Sequence, residues 1–354
     1  MYINKIELSN FRNYENQTIN LDKNINIIYG NNGEGKTNIL ESIFVCALGK
    51  SFRASKEKEL IKIGKDFSKI NLDFQKNDRC GNIKINIEDK KSVYLNDIKI
   101  YKKSKLLGNI YVVLFNPDDI NILKQGPANR RRFLNIMISQ LRPNYVYILN
   151  NYMKTLEQRN TYLRQIKYEN KKEDLLEIWD DKLAELGEKI YLYRKDFIEK
   201  IIVKINKIHE NITNQREVIK ILYNSNCLDK KNFLEKLKKN RALDIQKGFT
   251  SVGIHRDDFS IYINDKLVNV YGSQGQQRTV IISLKLSELE IIYDEIGEKP
   301  ILLLDDFMSE LDKNRREYIL SNIIENQIII TCTDKLNLKN NAKFFKVENG
   351  KVLW

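Results

Sequence analysis

Gly30-Asn31-Asn32-Gly33-Glu34-Gly35-Lys36-Thr37 fits the pattern G-x-x-x-x-G-K-[ST], the Walker A phosphate loop. Its flanks have the right character. Ile25-Asn26-Ile27-Ile28-Tyr29 is a short β-rich run that delivers the chain into the loop. Asn38-Ile39-Leu40-Glu41-Ser42-Ile43-Phe44 predicts a helix with apolar positions on one side. Glycines let backbone N–H groups turn inward around an anion, and the helix start adds its positive dipole end. Residues Gly30 to Asn38 are therefore expected to cradle a nucleotide's phosphates. Lys36 reaches the β- and γ-phosphates in this reading, and the Thr37 hydroxyl ligates Mg²⁺.

The chain has 354 residues, enough for two domains or for one domain with a large insertion. No run of 18 apolar residues occurs, so no transmembrane helix is expected. Met1-Tyr2-Ile3-Asn4-Lys5 does not open a signal peptide, which predicts a cytosolic protein. The cysteines at 46, 80, 227 and 332 form no C-x-x-C pair, and only His209 and His255 are present. Zinc sites and disulfide frameworks are disfavoured on that count. The formal charge of +13 favours a polyanionic partner. A composition rich in Lys, Asn and Ile also raises the charge by itself, so charge alone ranks nucleic acid only modestly ahead.

Strands are expected at residues 2–10, 17–21, 68–74, 83–87, 92–95 and 111–115, with turns at Asn77-Asp78 and Asn96-Asp97. Lys50 to Lys56 is basic and polar and reads as exposed. Asn116-Pro117-Asp118-Asp119 has the chemistry of a helix start. From Pro127 to about Gly248 the pattern becomes helical, with Val218–Tyr223 as a strand-like exception. Arg130-Arg131-Arg132 and Lys236-Lys238-Lys239-Arg241 are clusters that could track a phosphate backbone or be solvated helix faces. Strands return at 259–263, 301–304, 328–331, 344–347 and 351–353.

Pro300-Ile301-Leu302-Leu303-Leu304-Asp305-Asp306 is an apolar strand ending in two acids, the Walker B pattern. Asp305 is expected to share the Mg²⁺ shell with Thr37, and Asp306 to orient or deprotonate the attacking water. Walker A and Walker B stand far apart. Between them lies Gly272-Ser273-Gln274-Gly275-Gln276 before a helical stretch, and after them Ser309-Glu310-Leu311-Asp312. This is the motif order of an ABC-type ATPase.

The chain resembles the RecF family, bacterial DNA replication and repair ATPases related to SMC heads, nearly end to end. The resemblance rests on LSNFRNYE (8–15), GNNGEGKTNILE (30–41), GKSFRASKEKELI (49–61), FNPDDINILKQGPANRRRFLN (115–135), GIHRDD (253–258), GSQGQQRT (272–279) and PILLLDDFMSELD (300–312). It implies that Ser273 and Gly275 cap the γ-phosphate of a second subunit, with Asp312 across the same interface. It places Asn116 at a metal-facing Q-loop position and puts Arg12 and Arg53 near the nucleotide. Asp306 replaces the usual glutamate, the signature reads Ser-Gln-Gly-Gln, and Thr331-Cys332-Thr333-Asp334 stands where transporters carry a histidine. These departures imply slow hydrolysis.

The expected fold is an α/β ABC-type (SMC/RecF-like) head with a flanking antiparallel sheet and an inserted helical arm. The expected division is 1–126 and 250–354 for the head and 127–249 for the arm. The implied activity is ATP- and Mg²⁺-dependent dimerisation on double-stranded DNA near single-strand gaps or junctions, with RecO and RecR proteins, to help load recombinase. The alternatives are an ATPase subunit of an ABC-type transporter and a scaffold that binds ATP without hydrolysing it.

Overall fold

The computed structural model describes residues 1–307, 316, 318–319, 323, 325–335 and 342–353. The chain forms two compact units, residues 1–119 with 285–354, and residues 120–284. The first unit opens with β1 (Tyr2–Phe11), β2 (Tyr14–Asn20), β3 (Ile25–Tyr29) and α1 (Lys36–Leu48). It continues through β4 (Ser68–Lys76), β5 (Arg79–Ile87), β6 (Ser92–Leu95), β7 (Ile98–Ile100) and β8 (Val112–Phe115). The second unit holds α2 (Asn121–Lys124), α3 (Pro127–Leu141), α4 (Pro143–Glu169), α5 (Leu176–Thr213) and β9 (Ile219–Asn224). It then adds α6 (Lys230–Lys239), α7 (Arg241–Lys247), β10 (Asp258–Ile263), β11 (Lys266–Leu267) and α8 (Val268–Tyr271). The division falls inside α9 (Gln274–Ile296). The strands β12 (Ile301–Asp305), β13 (Ile328–Cys332), β14 (Ala342–Glu348) and β15 (Lys351–Leu353) belong to the first unit.

One sheet of the first unit has the order β15-β14-β3-β13-β12-β8, parallel throughout except for the β14–β15 hairpin. Its central strands are buried at nearly every residue. Strands covered on both faces must be apolar runs rather than alternating ones, which is why Ile301–Leu304 and Ile328–Ile330 read as they do. The second sheet, β2-β1-β4-β5-β6-β7, is antiparallel. Its turns carry Asn77, Asn96 and Asp97 at left-handed φ, the conformation these residues tolerate best. The N-terminal hairpin joins this sheet because β1 pairs with β4 across more than sixty residues of sequence.

Helix α1 packs on β12 and β13 on one side and on β4 and β5 on the other. Its sequence predicts one apolar face. In the structure it is buried from Ile39 to Leu48, Glu41 and Ser42 included, because a sheet covers each side. Ser51, in the stretch expected to be exposed, is also buried and donates to Glu41.

In the second unit α4 packs along α5. Two buried arginines organise it. Arg159 bonds Asp180 (2.7 Å), Asp244 (2.8 Å) and Thr250 (2.8 Å), and Arg241 reaches the other Asp180 oxygen (2.9 Å). Arg194 donates to Ile254 O (2.7 Å) and Asp257 (3.1 Å). Asp257 also accepts from Tyr223 (2.7 Å), Ser225 (2.9 Å) and the Asn226 amide (3.0 Å). Arg130 makes a bidentate pair with Asp258, and Arg131 donates to Asp257 O. Two of the three arginines at 130–132 thus face partners inside the lobe rather than solvent. His255 donates from Nε2 to Thr250 O and accepts at Nδ1 from the Tyr152 hydroxyl. The residues His255 to Asp258 are therefore a buckle for the lobe. The unit contains all of segment 127–249 and also α2 and residues 250–284.

Candidate nucleotide site at the carboxyl edge of the parallel sheet

Strand register brings the motif residues of the first unit to one edge. Ile28 pairs with Thr331, Thr331 with Asp305, and Leu304 with Phe115. The residues that follow, Gly30, Asp306 and Asn116, therefore leave the same end of the sheet. Ligands bind at the carboxyl ends of parallel strands because the chain turns there and exposes backbone and short polar side chains.

Two glycines shape the loop. Gly35 takes φ +110° at the start of α1, and a Cβ there would stand 2.2 Å from the Asn13 side chain. Gly30, at φ +155°, passes so close to β14 that a Cβ would lie 2.2 Å from Val347 O. Asn13 clamps the loop further. It donates to Glu34 O (2.6 Å) and accepts from Asn38 Nδ2 (2.8 Å), while Tyr14 donates to Gly35 O (3.0 Å). The Asn349 amide donates to the Glu34 carboxylate. Asn31, Asn32 and Gly33 form the exposed tip.

Lys36 is buried, with Nζ donating to Gly30 O (2.8 Å) and Asn31 O (3.0 Å). An ammonium has three N–H donors, so one remains for a phosphate oxygen. Thr37 Oγ1 donates to Asp305 Oδ1 at 2.7 Å, across 268 residues of sequence. Thr331 Oγ1 donates to the same oxygen (2.9 Å) and accepts from the Asp306 amide (2.9 Å). Burial pushes the Asp305 carboxyl above its ordinary range. The two hydroxyl donors oppose that shift, and Asp306 adds to it. A buried carboxylate beside a hydroxyl is a hard-oxygen pair suited to Mg²⁺, which takes one or two carboxylates and completes its shell with water and phosphate. Asp306 holds left-handed φ (+47°), a conformation that costs a non-glycine residue about 1–3 kcal/mol and is kept where the surroundings enforce it. Asn116 Oδ1 accepts from the Asp118 amide (2.9 Å), which leaves one lone pair on that oxygen.

Arg12 and Arg53 converge on one buried acid. Arg12 grips Glu41 through Nε and Nη2, both at 2.8 Å, and Arg53 donates to Glu41 (3.0 Å) and Asn38 (2.6 Å). Both arginines line a cleft of about 730 Å³ with Asn13, Asn38, Ile61 and Ile63. Sequence reasoning gave no role at the Asp305 carboxylate to Thr331 and did not single out Asn13 or Glu41. Thr331 could have been found only from its register with Asp305.

The signature segment belongs to the second unit as far as Leu284. Ser273 caps α9 in a reciprocal box: its amide donates to Gln276 Oε1 (2.9 Å), and its Oγ accepts the Gln276 amide (3.2 Å). A hydroxyl that accepts still has its own proton to give, and Ser273 is exposed. Gly275 O accepts from Thr279 Oγ1. Asp312 lies outside the described residues. Among those residues no helix is long and apolar enough to cross a membrane.

The model of the RecF/RecN/SMC N-terminal domain matches residues 2–352. A protein of Acetivibrio thermocellus named DNA replication and repair protein RecF is 44% identical over 370 residues, covering all of both chains. Its namesake in Clostridium tetani is 45% identical over 367 residues, again covering both chains in full. A solved structure described as the recombination mediator protein RecF with ATP, in the RecFOR pathway, superposes with a TM-score of 0.94. It is 40% identical and covers 99% of this chain and 96% of that one. An SMC head bound to a winged-helix domain of ScpA shares the fold at a TM-score of 0.58 and 16% identity, over 100% of this chain and 97% of that chain. The architecture is therefore that of an SMC/RecF-like ATPase head, and the protein belongs to the RecF family of DNA replication and repair proteins.

Proposed function

We propose that this chain is an ATP-gated DNA-binding dimer. ATP and Mg²⁺ bind at Gly30–Asn38, with Thr37 and Asp305 holding the metal and Asn116 close to its shell. The 2.7 Å contact between Thr37 and Asp305 carries this reading, because it joins the two halves of a phosphate–metal site from opposite ends of the chain. The base and sugar occupy the cleft beside Arg12 and Arg53. Two subunits close over two nucleotides, Ser273 and Gly275 of one copy meeting the γ-phosphate held by the other, with Asp312 at the same interface. Hydrolysis, with Asp306 orienting the water, removes those contacts and resets the switch. The relative solved with ATP supports ATP as the ligand.

Segments 1–126 and 250–354 act as the head, and 127–249 acts as the arm. The charge of +13 suits the backbone of double-stranded DNA at gaps or junctions. Affinity then falls with salt, with a log–log slope of about −0.9 per phosphate neutralised. The description of a solved relative names a RecFOR pathway, which supports RecO and RecR as the partners proposed here, in the cytoplasm, in recombinase loading after DNA damage. A transporter subunit is not favoured, because the full-length relatives are named as DNA replication and repair proteins.

Sedimentation of wild type and Lys36→Met, with and without ATP-Mg²⁺ and labelled duplex, tests the reading. The expected result is a wild-type dimer carrying DNA only with ATP, and a monomeric variant. DNA bound equally without ATP overturns the gating. Asp306→Asn is expected to keep the ATP-driven dimer while phosphate release slows by about 100-fold, the low end of what a positioned acid or base contributes. Unchanged turnover removes Asp306 from the mechanism.

A further inference from the structure

The signature helix is held by a side chain far from any motif. Gln276, which caps Ser273, also donates from Nε2 to Glu217 Oε1 (2.8 Å). Glu217 precedes β9, and its other oxygen accepts from His209 Nε2 (3.0 Å) near the end of α5. His209 is buried, and its Nδ1 meets Ser283 Oγ (3.1 Å) two turns further along α9. A carboxylate can only accept, so Nε2 carries the proton and the imidazole is oriented from both sides. Burial is the leading influence on this ring and lowers its affinity for a second proton. The chain of contacts runs Ser273–Gln276–Glu217–His209–Ser283. It starts on the signature, leaves α9 for the end of the arm segment, and returns to the same helix.

We infer that Glu217, oriented by His209, is a positioning residue for the signature motif: it fixes the Gln276 carboxamide so that Gln276 can cap Ser273. Gln276 has one side-chain oxygen and one side-chain nitrogen, and both are committed, the oxygen to the Ser273 amide and the nitrogen to Glu217. Removing the acceptor at 217 frees the carboxamide to rotate, and the cap on Ser273 loosens with it. Ser273 then spends more time in rotamers and backbone states unsuited to a phosphate. The inference rests on the proposed role of Ser273 in trans. It also gives the arm segment a direct hold on the signature, since Glu217 and His209 both lie within 127–249.

The test compares Glu217→Ala, Glu217→Gln and Gln276→Ala with wild type by three measurements. Amide exchange is read at Ser273–Gln277 without nucleotide. ATP affinity is read at concentrations where the protein is monomeric. The dissociation constant of the dimer is read with ATP-Mg²⁺. Glu217→Ala is expected to speed exchange at the start of α9 about tenfold and to weaken the dimer about tenfold, the effect of one hydrogen bond to a charged group. Monomer ATP affinity should stay unchanged. Glu217→Gln keeps an acceptor for Gln276 and can pair with the other His209 tautomer, so it should restore both readouts. Adding Glu217→Ala to Gln276→Ala should cost nothing further, because both act through one contact. Unchanged exchange in Glu217→Ala, or additive effects in the double variant, overturns the inference. A wild type that stays monomeric with ATP overturns the dimer reading instead, and the exchange data then decide the positioning role alone. If Glu217→Ala does not fold, exchange in Gln276→Ala against Glu217→Gln decides: a loosened start of α9 in the first and a wild-type one in the second is expected, and equal exchange in both overturns it.

Discussion

Lys36 and Arg159 are both buried cations surrounded by oxygen, and the molecule puts them to opposite uses. Arg159 donates to Asp180, Asp244 and Thr250, and Arg241 and Ser251 share the two carboxylates with it. Among the described residues Lys36 meets only backbone carbonyls of its own loop, with one N–H donor beyond those two. The acids differ in the same way. Asp257 is ringed by Arg194, Tyr223, Ser225 and Asn226. Among the described residues Asp305 has two hydroxyls and no cation as hydrogen-bond donors, and burial disfavours its charge. A buried carboxylate matched by a buried arginine is held in the fold, whereas one short of positive charge suits a cationic ligand.

The largest effect that can break this contrast is expected from Arg159→Met. It leaves the buried Asp244 without a cation and Asp180 with Arg241 alone, and should cost about 3–5 kcal/mol in denaturant unfolding. Below the transition, ATP affinity should hold. A loss under about 1 kcal/mol would mean the network is as dispensable as a surface pair. Asp305→Asn should do the reverse. ATP affinity in Mg²⁺ is expected to fall about 100-fold, some 2.7 kcal/mol, by calorimetry, with little change in EDTA. The unfolding midpoint should hold or rise, since a buried carboxylate has been neutralised; a large drop would class Asp305 with Asp257. Tyr223→Phe removes one donor from Asp257 and should cost about 1.5 kcal/mol of stability without touching nucleotide affinity.

The smallest effect concerns acid. Burial lowers His255 to about 4, below its ordinary value of 6.5. Between those values the unfolded chain takes up a proton that the folded one refuses, so stability falls as pH drops from 6.5 toward 4 and is flat above 6.5. His255→Gln can keep both hydrogen bonds without titrating. Its melting temperature should therefore lose less than wild type across that window, and parallel curves would place the acid sensitivity elsewhere.

The nucleotide half of the contrast was largely legible in the sequence, because its chemistry is local. Eight consecutive residues encode the phosphate loop, and apolar runs fully covered by sheet neighbours announce β12 and β13. The second unit, residues 120–284, was not. Arg130-Arg131-Arg132 reads the same whether it faces phosphate or Asp258, since the partner lies 128 residues away from Arg130. His255 offered no signal for the same reason: its partners are Tyr152 and the Thr250 carbonyl. The pairing of β1 with β4 and the burial of α1 on both sides likewise follow from long-range contacts that no local pattern carries. The Asp312 assignment falls outside the described residues and stands as proposed.

Strand β3, which leads into the Gly30–Thr37 loop, has β13 on one side and β14 on the other, and both lie about 300 residues later in sequence. The loop thus leaves the ribosome long before the strands that frame it. While residues 328–347 are still in the exit tunnel, Gly30 has neither flanking strand nor the Val347 carbonyl against which it sits. Nascent chains stalled before residue 328 are expected to retain no nucleotide, so the proposed ATP binding waits for residues 328–347 to emerge.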